Sequence, residues 1–194
     1  MFSRPPLAWR RHAVAVAVLL LPLACPAATA ACAGSPPAAF ELSIASGVMR
    51  DGEESRIEVR AHADGCVAVH RPWFLRDAGD FELRLDAREW AALQGAVAPA
   101  ELAKVDPQRL AAQTAVVWKE GANGAVVHAD PDADTVVLQW RDAGRTHRLV
   151  ARSPQAAAKR ASTSSDLDRV ATAVGALRAL ASRPGKRVGA EGTP

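Results

Sequence analysis

Three cysteines, five histidines and a run of alternating aspartates are the residues here whose types could do chemistry. Cys32 lies in "AATAACAGSPPAAFELS" (residues 27–43). Two chemistries fit a cysteine in that setting. Thr29, Ala30 and Ala31 before it are small and uncharged, as a bacterial lipobox requires, so Cys32 is a candidate for the acylated first residue of a lipid-anchored protein. This is the preferred reading, with Cys66 as a small buried side chain on its strand. The alternative is a Cys32–Cys66 disulfide formed in an oxidising compartment, closing a loop of about 35 residues. Cys25 is a poorer lipidation site because Pro22 stands three positions before it.

The other reactive types do not assemble into a motif. His62, His70, His128 and His147 fall singly on expected strands. His62 and His70 can face each other across a hairpin, but a zinc ion needs further ligands and none is indicated. "DPDADT" (130–135) spaces Asp130, Asp132 and Asp134 as a calcium loop does, yet Thr135 and Arg141 occupy the positions that want glycine and glutamate. There is no G-x-S-x-G, H-E-x-x-H, C-x-x-C or S-x-x-K, and no glycine-rich phosphate loop. No catalytic residue, cofactor or metal is therefore assigned.

The most distinctive segment is "HRPWFLRDAGDFEL" (70–83). Trp73, Phe74 and Leu75 form a bulky apolar cluster between Pro72 and Gly79, flanked by Arg71 and Arg76. Such a cluster usually folds under a sheet as a plug. If exposed, it is a protein-binding surface, because aromatics and arginine concentrate binding energy. Arg71, Trp73, Phe74, Leu75 and Arg76 are the candidate contact residues.

The elements that must position this segment follow from hydrophobic period. "FELSI", "RIEVRA", "CVAVH" and "FELRLD" alternate as half-buried strands, with Asp64-Gly65 suited to a tight hairpin turn. Asp86 and Glu89 make a capping box for a helix that places Trp90, Leu93 and Val97 on one side. Pro99 and Asp106-Pro107 punctuate a helical connection. "TAVVWKE" and "AVVHA" flank Asn123-Gly124, and "TVVLQWR" and "THRLVAR" flank a second turn. Leu167, Val170, Val174, Leu177 and Leu180 form one helical stripe. The expected fold is α+β: an antiparallel sheet of about seven to eight strands in hairpins, covered on one face by two main helices.

Composition frames the whole. "MFSRPPLAWRRH", the apolar "AVAVAVLLLPLA" and the small residues Ala28 and Ala30 have the three-part layout of a signal peptide, 1–31. The twin arginines belong to its basic start. "AGSPPAA" makes residues 32–39 a tether; 40–183 is one domain, with sub-structures 40–113 and 114–183 and a linker at 153–165, and 184–194 is a frayed tail. The full chain carries 24 basic and 21 acidic residues, but three of those arginines lie in the leader, so the exported part is balanced and nucleic-acid binding is not expected. Residues 31–142 hold 18 acids and 11 bases, residues 143–194 hold 3 and 10. The two parts are expected to pack together and neutralise each other.

The order "ELSIASG", "RIEVRAHADGCVAVHR", "GDFELRLDAREWAAL" resembles small exported proteins of Gram-negative bacteria. Over about the same residues, 40–97, it is also similar to emfourin-type protease inhibitors, whose strand–loop–strand–helix unit binds a metalloprotease. The paired glycines associated with those inhibitors are missing at "SGVMRDG", so no inhibitory residue carries over. The expectation is a non-enzymatic protein-binding module of the cell envelope, periplasm-facing, either anchored at the outer membrane by lipid or soluble. A protease inhibitor is the alternative, and a hydrolase without a recognisable motif is the second.

Overall fold

A computed structural model describes residues 31–48, 55–114, 132–160 and 164–189. The leader before Ala31 and the expected hairpin around Asn123-Gly124 lie outside the described residues. Seven strands, β1 (Ala38–Ala45), β2 (Arg56–His62), β3 (Cys66–Arg71), β4 (Gly79–Arg84), β5 (Thr135–Asp142), β6 (Arg145–Arg152) and β7 (Lys186–Arg187), form one antiparallel sheet ordered β6-β5-β1-β2-β3-β4-β7. The helices are α1 (Ala87–Val97), α2 (Pro99–Leu102), α3 (Pro107–Thr114), α4 (Pro154–Arg160) and α5 (Ser165–Ala181). The class is α+β, as the alternation implied.

Period two makes the sheet two-sided. Phe40, Leu42 and Ile44 of β1 and Val136, Leu138 and Trp140 of β5 are buried, while Glu41, Ser43, Val137 and Gln139 between them are only half covered. The buried face meets α5, whose Leu167, Val170, Val174, Leu177 and Leu180 are all buried. A 17-residue helix with such a stripe is held mainly by packing, and Ser164 satisfies one free amide at its start through Leu167 N–H. The start of α1 is closed as the sequence indicated. Glu89 N–H donates to the Asp86 carboxylate at 2.7 Å, and Asp86 N–H donates to Glu89 at 3.0 Å.

Four boundary expectations need correction. Residues 32–39 are not a free tether. Cys32 is bonded to Cys66, Ser35 Oγ donates to Asp64 at 2.7 Å, and Ala38 already belongs to β1. The expected linker 153–165 contains α4, which Pro154 opens and three consecutive alanines favour, and which buries Ala157. The tail from Pro184 onward is docked as far as Gly189, with β7 paired to Phe81 and Glu82. Nor are 40–113 and 114–183 separate sub-structures: β1 pairs with β2 on one side and β5 on the other, so both halves share one sheet.

Candidate functional site

The segment between β3 and β4 is exposed. Trp73 keeps 67 % of its surface accessible, Phe74 37 % and Leu75 36 %. The two rings meet edge to face, centroids 5.7 Å apart. Leu75 N–H donates to the Pro72 carbonyl at 3.0 Å, which closes a turn that turns the aromatics outward while Pro72 itself is buried. Arg76 and Asp77 are exposed beside them. The cluster is therefore exposed and is not a plug under the sheet.

Arg71 does not belong to the surface. It is 8 % accessible, and its guanidinium donates to the carbonyls of Ala181 at 2.8 Å and Arg183 at 2.5 Å. These are free acceptors at the C-terminal end of α5, where a cation is also favoured by the helix dipole. The same group lies 4.1 Å above the Phe81 ring. Arg71 thus fixes the root of the loop and is removed from the contact set; Trp73, Phe74, Leu75 and Arg76 stay in it.

The other half of the root comes from residues 183–188, most of which the sequence assigns to a frayed tail. Arg187 sits 5.7 Å from the Phe81 centroid and hydrogen-bonds the Ala78 carbonyl. Val188 N–H donates to Asp80 at 2.9 Å. Gly185 permits this docking: a Cβ there would stand 2.5 Å from Leu83 and 2.9 Å from the Glu82 carbonyl. Gly79, at φ +120°, starts β4 beneath the Arg187 guanidinium. Arg183 bridges to Glu89 at 2.9 Å, tying this strap to α1. The available signal was "RPGKR" just past a helix end, where glycine and proline mark a turn back toward the sheet.

The remaining chemical groups are dispersed. His62 and His70 stand near opposite ends of their hairpin rather than facing each other. His62 Nδ1 contacts the Pro36 carbonyl at 2.6 Å, and His70 Nδ1 contacts Asp80 at 2.7 Å. The His70–Asp80 pair has the form of a base and its orienting carboxylate; among the described residues His70 Nε2 has no hydrogen-bond partner. His147 stacks on Trp140, centroids 5.0 Å apart. Asp132 and Asp134 lie in the approach to β5, and Asp130 and His128 lie outside the described residues.

Ligand atoms of Cys32, Cys66 and Glu82 converge within 4.8 Å. With the sulfurs joined in a disulfide they offer no thiolate, and only the carboxylate could meet a cation. The same bond bears on the lipid-anchor reading, because a sulfur committed to Cys66 cannot carry a thioether. Cys32 N–H also donates to Glu82 at 3.3 Å. Asp64, at the adjoining turn, is held below its ordinary carboxylate range by the Ser35 hydroxyl first, then by Cys66 N–H and the nearby Arg84 charge.

A shallow, open groove runs between β4 and the strap, lined by Glu82, Leu83, Arg84 and residues 183–186. Among the described residues no helix is long and apolar enough to cross a membrane. No family model, curated protein or solved structure matches this chain.

Proposed function

We propose that this is an exported cell-envelope protein that binds another protein through the Trp73–Arg76 loop. The observation that supports the reading is an exposed aromatic pair on a loop whose root is fixed by the buried Arg71, by Arg187 and by a backbone strap. Three large apolar side chains in water are unfavourable unless covered. A fixed root reduces the ordering cost of covering them, and a rim of Arg76 and Asp77 supplies polar contacts. Aromatic anchors of this kind dominate binding energy at protein interfaces.

The test is affinity capture from an envelope extract, followed by binding of the purified captured protein to wild type and to a Trp73→Ala, Phe74→Ala variant. Losing two anchors should weaken binding by at least about 100-fold. The thermal midpoint should stay within a few degrees, because both side chains are exposed. Unaltered affinity in the double variant overturns the reading. A captured protease that the wild type inhibits at near-stoichiometric ratio would instead make the protein an inhibitor of the same build.

A further inference from the structure

The corner of the sheet where β3 begins brings three metal-ligand side chains together from three parts of the chain. Cys66 opens β3, Glu82 lies on β4, and the register pairs Cys66 with Arg84 and Ala68 with Glu82. Cys66 and Glu82 are therefore diagonal neighbours on one face, within reach of a long side chain. Ala68, directly opposite Glu82, is too short to stand between them. Cys32 arrives from the segment before β1 and completes the group, its sulfur, that of Cys66 and a Glu82 oxygen all lying within 4.8 Å of one another.

A disulfide has no hydrogen to donate, so the Glu82 carboxylate gains nothing from the two sulfurs as they stand. Its other contacts are long: Cys32 N–H donates to it at 3.3 Å, and Arg84 Nε stands 3.4 Å away. Reduced, the same positions offer two thiolates and a carboxylate. That donor set suits zinc, which takes three protein ligands and leaves a fourth position to water in its open sites. Ligand atoms around a tetrahedral zinc ion stand about 3.5–3.8 Å apart, so drawing the cluster in from 4.8 Å asks a shift of about 1 Å from a flexible side chain. The Cα atoms of Cys32 and Cys66 are 5.8 Å apart, a span that two cysteine side chains cover whether their sulfurs join or flank an ion. Both cysteines are buried, whereas the Glu82 side chain is 30 % exposed and lines the groove beside β4, which gives an ion a way in. Arg84, next to Glu82, offsets the surplus negative charge of three anionic ligands around a divalent ion.

We propose that Cys32, Cys66 and Glu82 form a zinc site when the disulfide is reduced, so that this corner is clasped either by a sulfur–sulfur bond or by an ion. A dithiol reductant passes two electrons and two protons to the Cys32–Cys66 bond and itself becomes a disulfide. Zinc then releases the two thiol protons to solvent as it binds. The ion keeps the segment before β1 fastened to the sheet under conditions in which the disulfide does not persist. The assignment is independent of the aromatic loop and of any partner it binds.

The test uses the protein as its host processes it, carrying Cys25→Ser so that Cys32 and Cys66 are its only thiols. It is reduced with a phosphine, freed of reductant under argon and titrated with cobalt(II), whose bonds to thiolate absorb in the near ultraviolet and whose tetrahedral sites absorb in the visible. One equivalent should bind the reduced protein, zinc should displace it, and the oxidised protein should show neither band. Glu82→Gln should weaken cobalt binding at least about tenfold, since even a change beside a ligand commonly costs that much. Cys66→Ser should abolish the two-thiolate spectrum. Zinc should raise the thermal midpoint of the reduced protein and leave that of the oxidised protein unchanged. If reduction unfolds the chain, zinc should restore its native circular dichroism, and failure to restore it overturns the proposal. So does a reduced, folded protein without the thiolate–cobalt band, or a Glu82→Gln variant that binds as tightly as wild type.

Discussion

Reducing the Cys32–Cys66 bond should lower the free energy of unfolding by about 3–4 kcal/mol. The two residues are 34 apart in sequence, and releasing a loop of that size restores conformational entropy to the unfolded chain. Their Cα atoms are 5.8 Å apart, so closing the bond asks little of the backbone. Reduction is a cleaner perturbation than mutation. Cys66 is fully buried and Cys32 nearly so, and a reducing phosphine leaves both sulfurs in place. Replacing both with alanine should cost about 1 kcal/mol more through lost packing. The assay is urea unfolding followed by far-ultraviolet circular dichroism, with and without reductant. The denaturant slope should rise on reduction, because the unfolded chain becomes less compact. A stability change under about 1 kcal/mol would refute the reasoning. So would a native protein whose intact mass shows an acyl chain on Cys32 instead of the loss of two hydrogens.

Three further outcomes test the packing and electrostatics. Trp90 is partly buried and stacks on Phe40 at 5.5 Å, so Trp90→Ala should cost about 2–3 kcal/mol in the same assay, and a loss under about 1 kcal/mol would mean α1 is seated by other contacts. Gly185→Val should dislodge the strap and speed amide exchange at residues 73–79 and Val188 by at least about tenfold while β2 and β3 stay protected. Unchanged exchange would show that the loop is ordered without the strap. Asp64 titrates below its ordinary 3.8, so its contacts stabilise the fold above that value and are lost as pH falls through the lowered one. Ser35→Ala should raise the Asp64 midpoint, read by carboxyl NMR, and an unmoved midpoint would dismiss the Ser35 hydrogen bond.

Much of the fold was legible because its signals are local. β1 to β6 alternate with period two, the Asp86–Glu89 box closes within one helical turn, and the stripe of α5 repeats at three and four. Each depends on neighbours a few residues away, whose geometry the backbone alone dictates. Exposure of the aromatic loop was not legible, since the same three apolar residues satisfy a plug or a surface equally well. α4 was hidden by its low-complexity composition, although three alanines after a proline are good helix formers.

By itself, then, the sequence determined the α+β class, the β2–β3 and β5–β6 hairpins, the two main helices and the segment worth testing. Tertiary structure decided how these were joined and what each polar group does. β1 reaches β5 across nearly a hundred residues, and Arg71 finds the Ala181 carbonyl 110 residues on. Arg187 returns to Ala78, 109 residues back, and turns an expected tail into the brace of a loop. Such pairings leave no periodic trace, because they depend on two distant surfaces meeting in space. Whether an arginine is a contact or a strut is settled by which acceptors the fold leaves unsatisfied beside it.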